Sequence, residues 1–164
     1  MSRINDGMFT SDRMDWATPQ AFFDLVNTEF CFTLDAAAEP HNAKCPAFYT
    51  EAEDGLANPW PGIVWCNPPY GRAIKRWVEK GYREAQNGST VVMLIPARTD
   101  TAYWHDYVMK AAELRLLRGR LVFGSGEARA NAPFPSALVV FRPGRHAPVV
   151  ASMERGALTR RAAA

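Results

Sequence analysis

Apolar positions along this chain fall into two kinds of run that alternate with each other. In "WATPQAFFDLVNTEF", Phe22, Leu25 and Val26 recur at helical spacing behind a Thr18-Pro19 pair. Thr18 is a good helix-capping type, and Pro19 suits a first turn, where a missing N–H costs nothing. "CFTLDAA" then reads as a strand ending at Asp35. "EPHNAKCPAF" reads as loop, and "AFYTEAEDGL" as a short strand or an extended segment. "GIVWCN" is a second strand. After Gly71 a helix follows, with Ile74, Trp77, Val78, Gly81, Tyr82 and Ala85 on one face. "TVVMLIP" is a continuous apolar run of the kind found in a strand buried on both faces. "TDTAYWHDYVMKAA" reads as a capped helix, and "ELRLLRGRLVF" as one or two strands turning at Gly119. "GSGEARANAPFP" reads as a loop before a last strand, "SALVVF".

Strands alternating with helices predict an α/β architecture, a mostly parallel sheet flanked by helices. The 164 residues suffice for one sizeable core. The pattern places a single domain over residues 15–142. Residues 1–14 lack periodicity and are expected to be flexible, and residues 143–164, rich in Arg, Ala and Pro, are expected to form a basic, disordered tail. The apolar runs are too short to span a bilayer, so no membrane partner is expected. The amino terminus has no basic-then-apolar export pattern, so export is not expected. Monomer or weak dimer is the expected state.

Charge adds something that pattern does not. Residues 1–70 carry three Arg or Lys against ten Asp or Glu, whereas residues 71–120 carry ten against five. An acidic front and a basic back suggest an anionic partner for the back half; the competing reading is an ordinary solvated surface. Cys31, Cys45 and Cys66 are odd in number and widely spaced, so neither a disulfide framework nor a zinc site is indicated. His41 and Cys45 share helical spacing, but two ligands make no metal site, and none is expected.

In open α/β sheets, ligands sit at the carboxyl ends of strands. That rule selects Asp35 and Asn67. The stretch Asn67-Pro68-Pro69-Tyr70 has a specific chemistry. The Asn67 side chain offers a carbonyl acceptor. Pro68 has a backbone carbonyl and no N–H, so it can only accept. Rigid prolines fix both acceptors in space, and Tyr70 offers a flat ring at what reads as an exposed strand end. Two acceptors and a ring suit a planar group bearing an NH₂. Such a nitrogen is a poor nucleophile because its lone pair is delocalised. Holding both hydrogens on acceptors aims the lone pair, so positioning is the main contribution and no strong base is needed. A purely structural Pro-Pro turn is the competing reading.

Asn67–Tyr70 resembles the [DNS]-P-P-[YFW] motif of S-adenosylmethionine-dependent amino-methyltransferases. "ATPQAFFD" resembles their amino-terminal Thr-Pro helix motif, "FTLDAAAEP" their first sheet motif, and "AEDGL" their later acidic motif. "W-x-T-P", "F-x-LDAAA", "AKC", "DGL", "W-x-NPPYGR", "PARTDT-x-WH" and "GRL-x-F" together resemble the small phage-type DNA N6-adenine methyltransferases, from about Trp16 to Phe141.

The resemblance implies a compact Rossmann-like methyltransferase fold, S-adenosylmethionine as cofactor, and double-stranded DNA as partner in the cytoplasm of a bacterial or phage-infected cell. It implies that Asn67, Pro68, Pro69 and Tyr70 form the catalytic edge and that a flipped adenine stacks on Tyr70. For the cofactor it implies Asp35 on the amino group and Thr18 on the carboxylate, with Pro19 and Ala36 in the same pocket. Asp54 would meet the adenine or ribose, with Glu51 and Glu53 as weaker ribose candidates. Asp54-Gly55 also suits a plain Asx turn. Where superfamily members usually have a glycine-rich turn, this chain has Ala36-Ala37-Ala38-Glu39-Pro40. Arg72, Lys75, Arg98, Arg118 and Arg120 are the candidate DNA contacts, and the loop Gly124–Pro135 a target-sensing segment. His105 reads as helix surface rather than as a base. An RNA-base or protein-glutamine methyltransferase with the same motif is the alternative function.

Overall fold

The structure, a computed structural model, describes residues 17–123 and 130–156. The expected flexible segment 1–14 lies outside the described residues, as do 124–129 of the Gly124–Pro135 loop and the end of the tail.

Helix α1 (Gln20–Phe30) is followed by strand β1 (Leu34–Asp35), strand β2 (Ile63–Cys66), helix α2 (Ile74–Gln86) and strand β3 (Thr90–Pro96). A short helix α3 (Ala102–Asp106), strand β4 (Glu113–Leu117), the small hairpin of β5 (Val122–Phe123) and β6 (Ala130–Asn131), and strands β7 (Ser136–Phe141) and β8 (Val149–Met153) complete the order. The main sheet has six strands in the order β1-β2-β3-β7-β4-β8. β1–β2, β2–β3 and β4–β8 pair parallel, while β7 runs antiparallel to both its neighbours, β3 and β4. Every strand but β7 therefore points the same way, and the carboxyl ends of β1, β2, β3 and β4 share one edge.

Strand alternation assigns side chains to the two faces. Trp65 is fully buried and packs edge-on against Phe23 of α1 at 5.4 Å. Asp35, in register with Trp65, lies on the same face. Val91 and Met93 face α2. A Cβ on Gly81 would come within 2.7 Å of the Met93 sulfur, so glycine there lets the helix lie close on the sheet. All six residues of β7 are buried, and six of the seven in β3, as a central strand pair covered on both faces requires.

Three local expectations need correction. Thr18 does not cap α1: Pro19 occupies the cap position without a side-chain cap bond, and the Thr18 hydroxyl goes to Asn67 instead. The helix expected over "TDTAYWHDYVMKAA" stops at Asp106. Tyr107 leaves helical geometry (φ −127°, ψ −50°), its ring 5.6 Å from that of Tyr82, and Val108–Lys110 form a single 3-10 turn. Residues 143–156 are not a disordered tail, because Val149–Met153 pair with β4 over five residues. β8 has one neighbour, and Val149 and Val150 are 69% and 58% exposed. Only Met153 enters the core, so no apolar period marks the strand.

The far side of the sheet is tied to α1 by charge. The Arg115 guanidinium gives both Glu29 carboxylate oxygens hydrogen bonds of 2.7 Å, reaches Glu113 at 2.7 Å, and stacks over the Phe30 ring. These carboxylates hold the guanidinium pKa above its ordinary value. Removing the cation leaves Glu113 poorly solvated. Arg115→Ala should therefore destabilise the chain by about 3 kcal/mol, read as a lower urea midpoint with an unchanged slope.

Candidate active site

A cavity of about 550 Å³ opens over the carboxyl ends of β1 and β2, between the amino-terminal ends of α1 and α2. Thr18, Asp35, the Ala37–Ala38 turn, Lys44, Asp54, Trp77 and Asn67-Pro68-Pro69 are among its walls.

Asp35 is 2% exposed. One carboxylate oxygen accepts the Lys44 backbone N–H at 3.0 Å, the other that of Ala37 at 3.3 Å. Burial outweighs these bonds and pushes the carboxyl up to about 6. The same burial raises the thiols of Cys66 and Cys45, which stay protonated at neutral pH.

Asn67 is held from two sides. Its amide NH₂ donates to the Thr18 hydroxyl at 3.0 Å, and its carbonyl accepts the Tyr70 phenol at 2.7 Å. The single phenol hydrogen also faces the Leu94 carbonyl at 3.1 Å. Burial pushes the Tyr70 pKa up, so the phenol remains a donor. Tyr70 is 7% exposed and sits edge-on to Phe134 at 5.3 Å. This corrects the exposed ring expected from sequence: the strand edge turns the phenol inward onto Asn67 and Leu94.

The other wall is built by tryptophans. Trp60, fully buried, donates its indole N–H to the Gly55 carbonyl at 2.7 Å and stacks on Trp77 at 6.0 Å. Glu84 accepts the Trp60 backbone N–H at 3.1 Å and pairs with Lys80. Gly55 is pressed against the Ala36 carbonyl: a Cβ there would sit 2.2 Å from that oxygen. Asp54 makes the Asx turn, accepting the Leu56 N–H at 3.0 Å, and also lines the cavity.

Of the residues singled out in the sequence, Thr18, Asp35, Glu51, Asp54, Asn67, Pro68 and Pro69 come together around this cavity. Pro19 and Ala36 are not in its lining. Pro19 starts α1, and Ala36 is fully buried behind the wall, its N–H on the Trp65 carbonyl. Glu53 turns away to bond the Thr50 N–H. Arg72 and Lys75 are exposed beside the motif; Arg98 follows β3, and Arg118 and Arg120 follow β4, all exposed on the carboxyl edge. Arg118 pairs with Glu154 at 3.3 Å. His105 contacts the Thr99 carbonyl at 2.8 Å and does not line the cavity. Sequence reasoning gave no role to Lys44, Tyr49 or Trp77 as cavity residues. The "AKC" motif was the available signal for the first, and Trp77 read as an ordinary core position on α2.

A sheet with one antiparallel strand also occurs in a solved structure of the same fold. A solved Listeria monocytogenes chain, described as a candidate class I S-adenosylmethionine-dependent methyltransferase, superposes with a TM-score of 0.53 at 14% identity, over 87% of this chain and 66% of that one. The family model for DNA N-6-adenine-methyltransferase (Dam) matches residues 7–163, and the chain belongs to that family. It is 30% identical over 130 residues to the DNA N-6-adenine-methyltransferase of Escherichia phage T1, covering 68% of this chain and 54% of that protein. It is 40% identical over 63 residues to the candidate methyltransferase YfdM of Escherichia coli K12, covering 34% of this chain and 69% of that protein. The chain thus spans about half the length of the phage relative. Among the described residues no helix is long and apolar enough to cross a membrane.

The contact between Gly55 and Ala36 is backbone on backbone and cannot relax through a side chain. Gly55→Ala should cost about 1–3 kcal/mol and lower the melting temperature in calorimetry.

Proposed function

We propose that this chain transfers a methyl group from S-adenosylmethionine to the N6 amine of an adenine flipped out of double-stranded DNA. The observation that carries the reading is Asn67, held between Thr18 and Tyr70 at the end of β2, on the border of an acidic cavity.

The residues present fit the cofactor. It brings an electrophilic methyl on a sulfonium cation, and the cavity offers Asp35, Glu39, Glu51 and Asp54. Asp35 takes the ammonium, and Asp54 with Glu51 takes the adenosine end. Thr18 accepts from Asn67 and keeps a hydroxyl hydrogen of its own to give.

On the other side of the motif, the target amine donates to the Asn67 side-chain carbonyl and the Pro68 backbone carbonyl. A carboxamide oxygen can accept two hydrogen bonds, so the bond from Tyr70 orients it for the second role. Fixing both N–H groups would direct the nitrogen lone pair toward the methyl that the cofactor would supply; as the N–CH3 bond formed the sulfur would keep the electrons of the broken S–CH3 bond, and the surplus amine proton would pass to water. Tyr70 acts first by holding Asn67. Stacking of the base on its ring requires a face of the buried Tyr70 to be uncovered. Arg72, Lys75, Arg98, Arg118 and Arg120 lie along one edge of the sheet and supply phosphate contacts, which makes binding salt-dependent.

Duplex DNA incubated with the full chain and S-adenosylmethionine, then digested to nucleosides, should yield N6-methyladenine by mass spectrometry. Asn67→Ala should lower that yield about 100-fold or more, because the reacting nitrogen loses its position. No N6-methyladenine from folded, cofactor-binding protein, or full activity in Asn67→Ala, overturns the proposal.

Asp35 sets a pH dependence. Its carboxyl is ionised above about 6 and protonated below. Its attraction for the cofactor ammonium is therefore present above that pH and lost beneath it. Titration calorimetry should show S-adenosylhomocysteine binding weakening toward about tenfold per pH unit below 6. Asp35→Asn should bind weakly and show no such slope.

A further inference from the structure

We infer that Lys44 binds the carboxylate of the cofactor's amino-acid end, beside Asp35 on the ammonium, and so fixes which way round that end lies. The inference rests on the cofactor reading above.

The amino-acid end of the cofactor is a zwitterion, with ammonium and carboxylate on one carbon. A site complementary to it must present an anion and a cation side by side. The described cavity walls carry four carboxylates, on Asp35, Glu39, Glu51 and Asp54, and one cationic side chain, that of Lys44. Lys44 is anchored beside Asp35 through its backbone, whose N–H donates to a carboxylate oxygen of Asp35 at 3.0 Å. The ammonium does not range freely. It donates to the Gln20 side-chain oxygen at 2.8 Å, and the Gln20 amide in turn donates to Asp24 at 2.8 Å. Gln20 opens α1 two residues after Thr18, so the Lys44 side chain reaches from the Asp35 loop toward the start of α1, where Thr18 lines the cavity. In this arrangement the carboxylate falls between Lys44 and Thr18, and the ammonium faces Asp35.

The simpler role for Lys44 is a counter-ion that eases the burial of Asp35. The two roles separate by experiment. A counter-ion competes with the cofactor ammonium for Asp35, so removing it affects any ligand bearing that ammonium. A carboxylate partner matters only to ligands bearing the carboxylate.

The test is calorimetric titration of the full chain with S-adenosylhomocysteine and with its decarboxylated analogue, for wild type, Lys44→Met and Lys44→Arg. Lys44→Met should weaken S-adenosylhomocysteine about tenfold and leave the decarboxylated analogue within twofold, while Lys44→Arg should stay close to wild type. Equal weakening of both ligands, tighter binding of both, or no change for S-adenosylhomocysteine overturns the inference. If Lys44→Met does not fold, Lys44→Gln is read by the same criterion. Failure of the cofactor reading has a different mark: neither ligand binds the wild type.

Discussion

The buried carboxylate of Asp35 is the constraint around which the site is arranged. It ends β1, accepts backbone hydrogen bonds from the Ala37 turn and the Lys44 loop, and faces the cavity. Two backbone N–H groups are not enough to offset its burial, which is why its pKa stays raised. The protein thus holds an anion at a cost to its own stability, in the place where a cationic ligand relieves that cost. The loop 39–45 is held to the strand by this carboxylate together with the buried Cys45 side chain.

From that point the sheet edge separates two kinds of chemistry. β1 and β2 end in the acidic cavity, whereas β3 and β4 end in Arg98, Arg118 and Arg120. Asn67 stands at the boundary. Its amide donates toward the cavity at Thr18, and its carbonyl is oriented by Tyr70. The charge asymmetry of the chain is therefore laid out in space along one edge of one sheet.

Much of this was legible beforehand because local sequence and tertiary role agree. The apolar run of β3, the helical stripe of α2 and the Asn-Pro-Pro-Tyr stretch each carry a local signal that the fold obeys. β8 was not legible, because an edge strand with two exposed valines has no period to read. The burial of Tyr70 was hidden for a different reason: Asn67 and Leu94, which receive its phenol, are brought together only by the pairing of β2 with β3. Thr18 was read as a cap because its hydroxyl has a local use in helices. A partner 49 residues away took it instead. Lys44 lies in the "AKC" motif, but that motif by itself gives no sign of what the side chain does. Its place depends on a hydrogen bond to Asp35 that only the folded loop makes.

Gly81 has a bearing on motion. With no Cβ, α2 rests directly on Met93, Val91 and Phe141, and side chains in such contact leave no room for the helix to rock. Ala73 and Trp77, which α2 brings to the cavity, are thereby fixed walls. The opposite wall, residues 39–54, is a succession of turns outside the main sheet ladder, joined to it at one bridge between Phe48 and Asp35. Any adjustment of the cavity to the shape of a ligand then falls to this turn-rich wall rather than to α2.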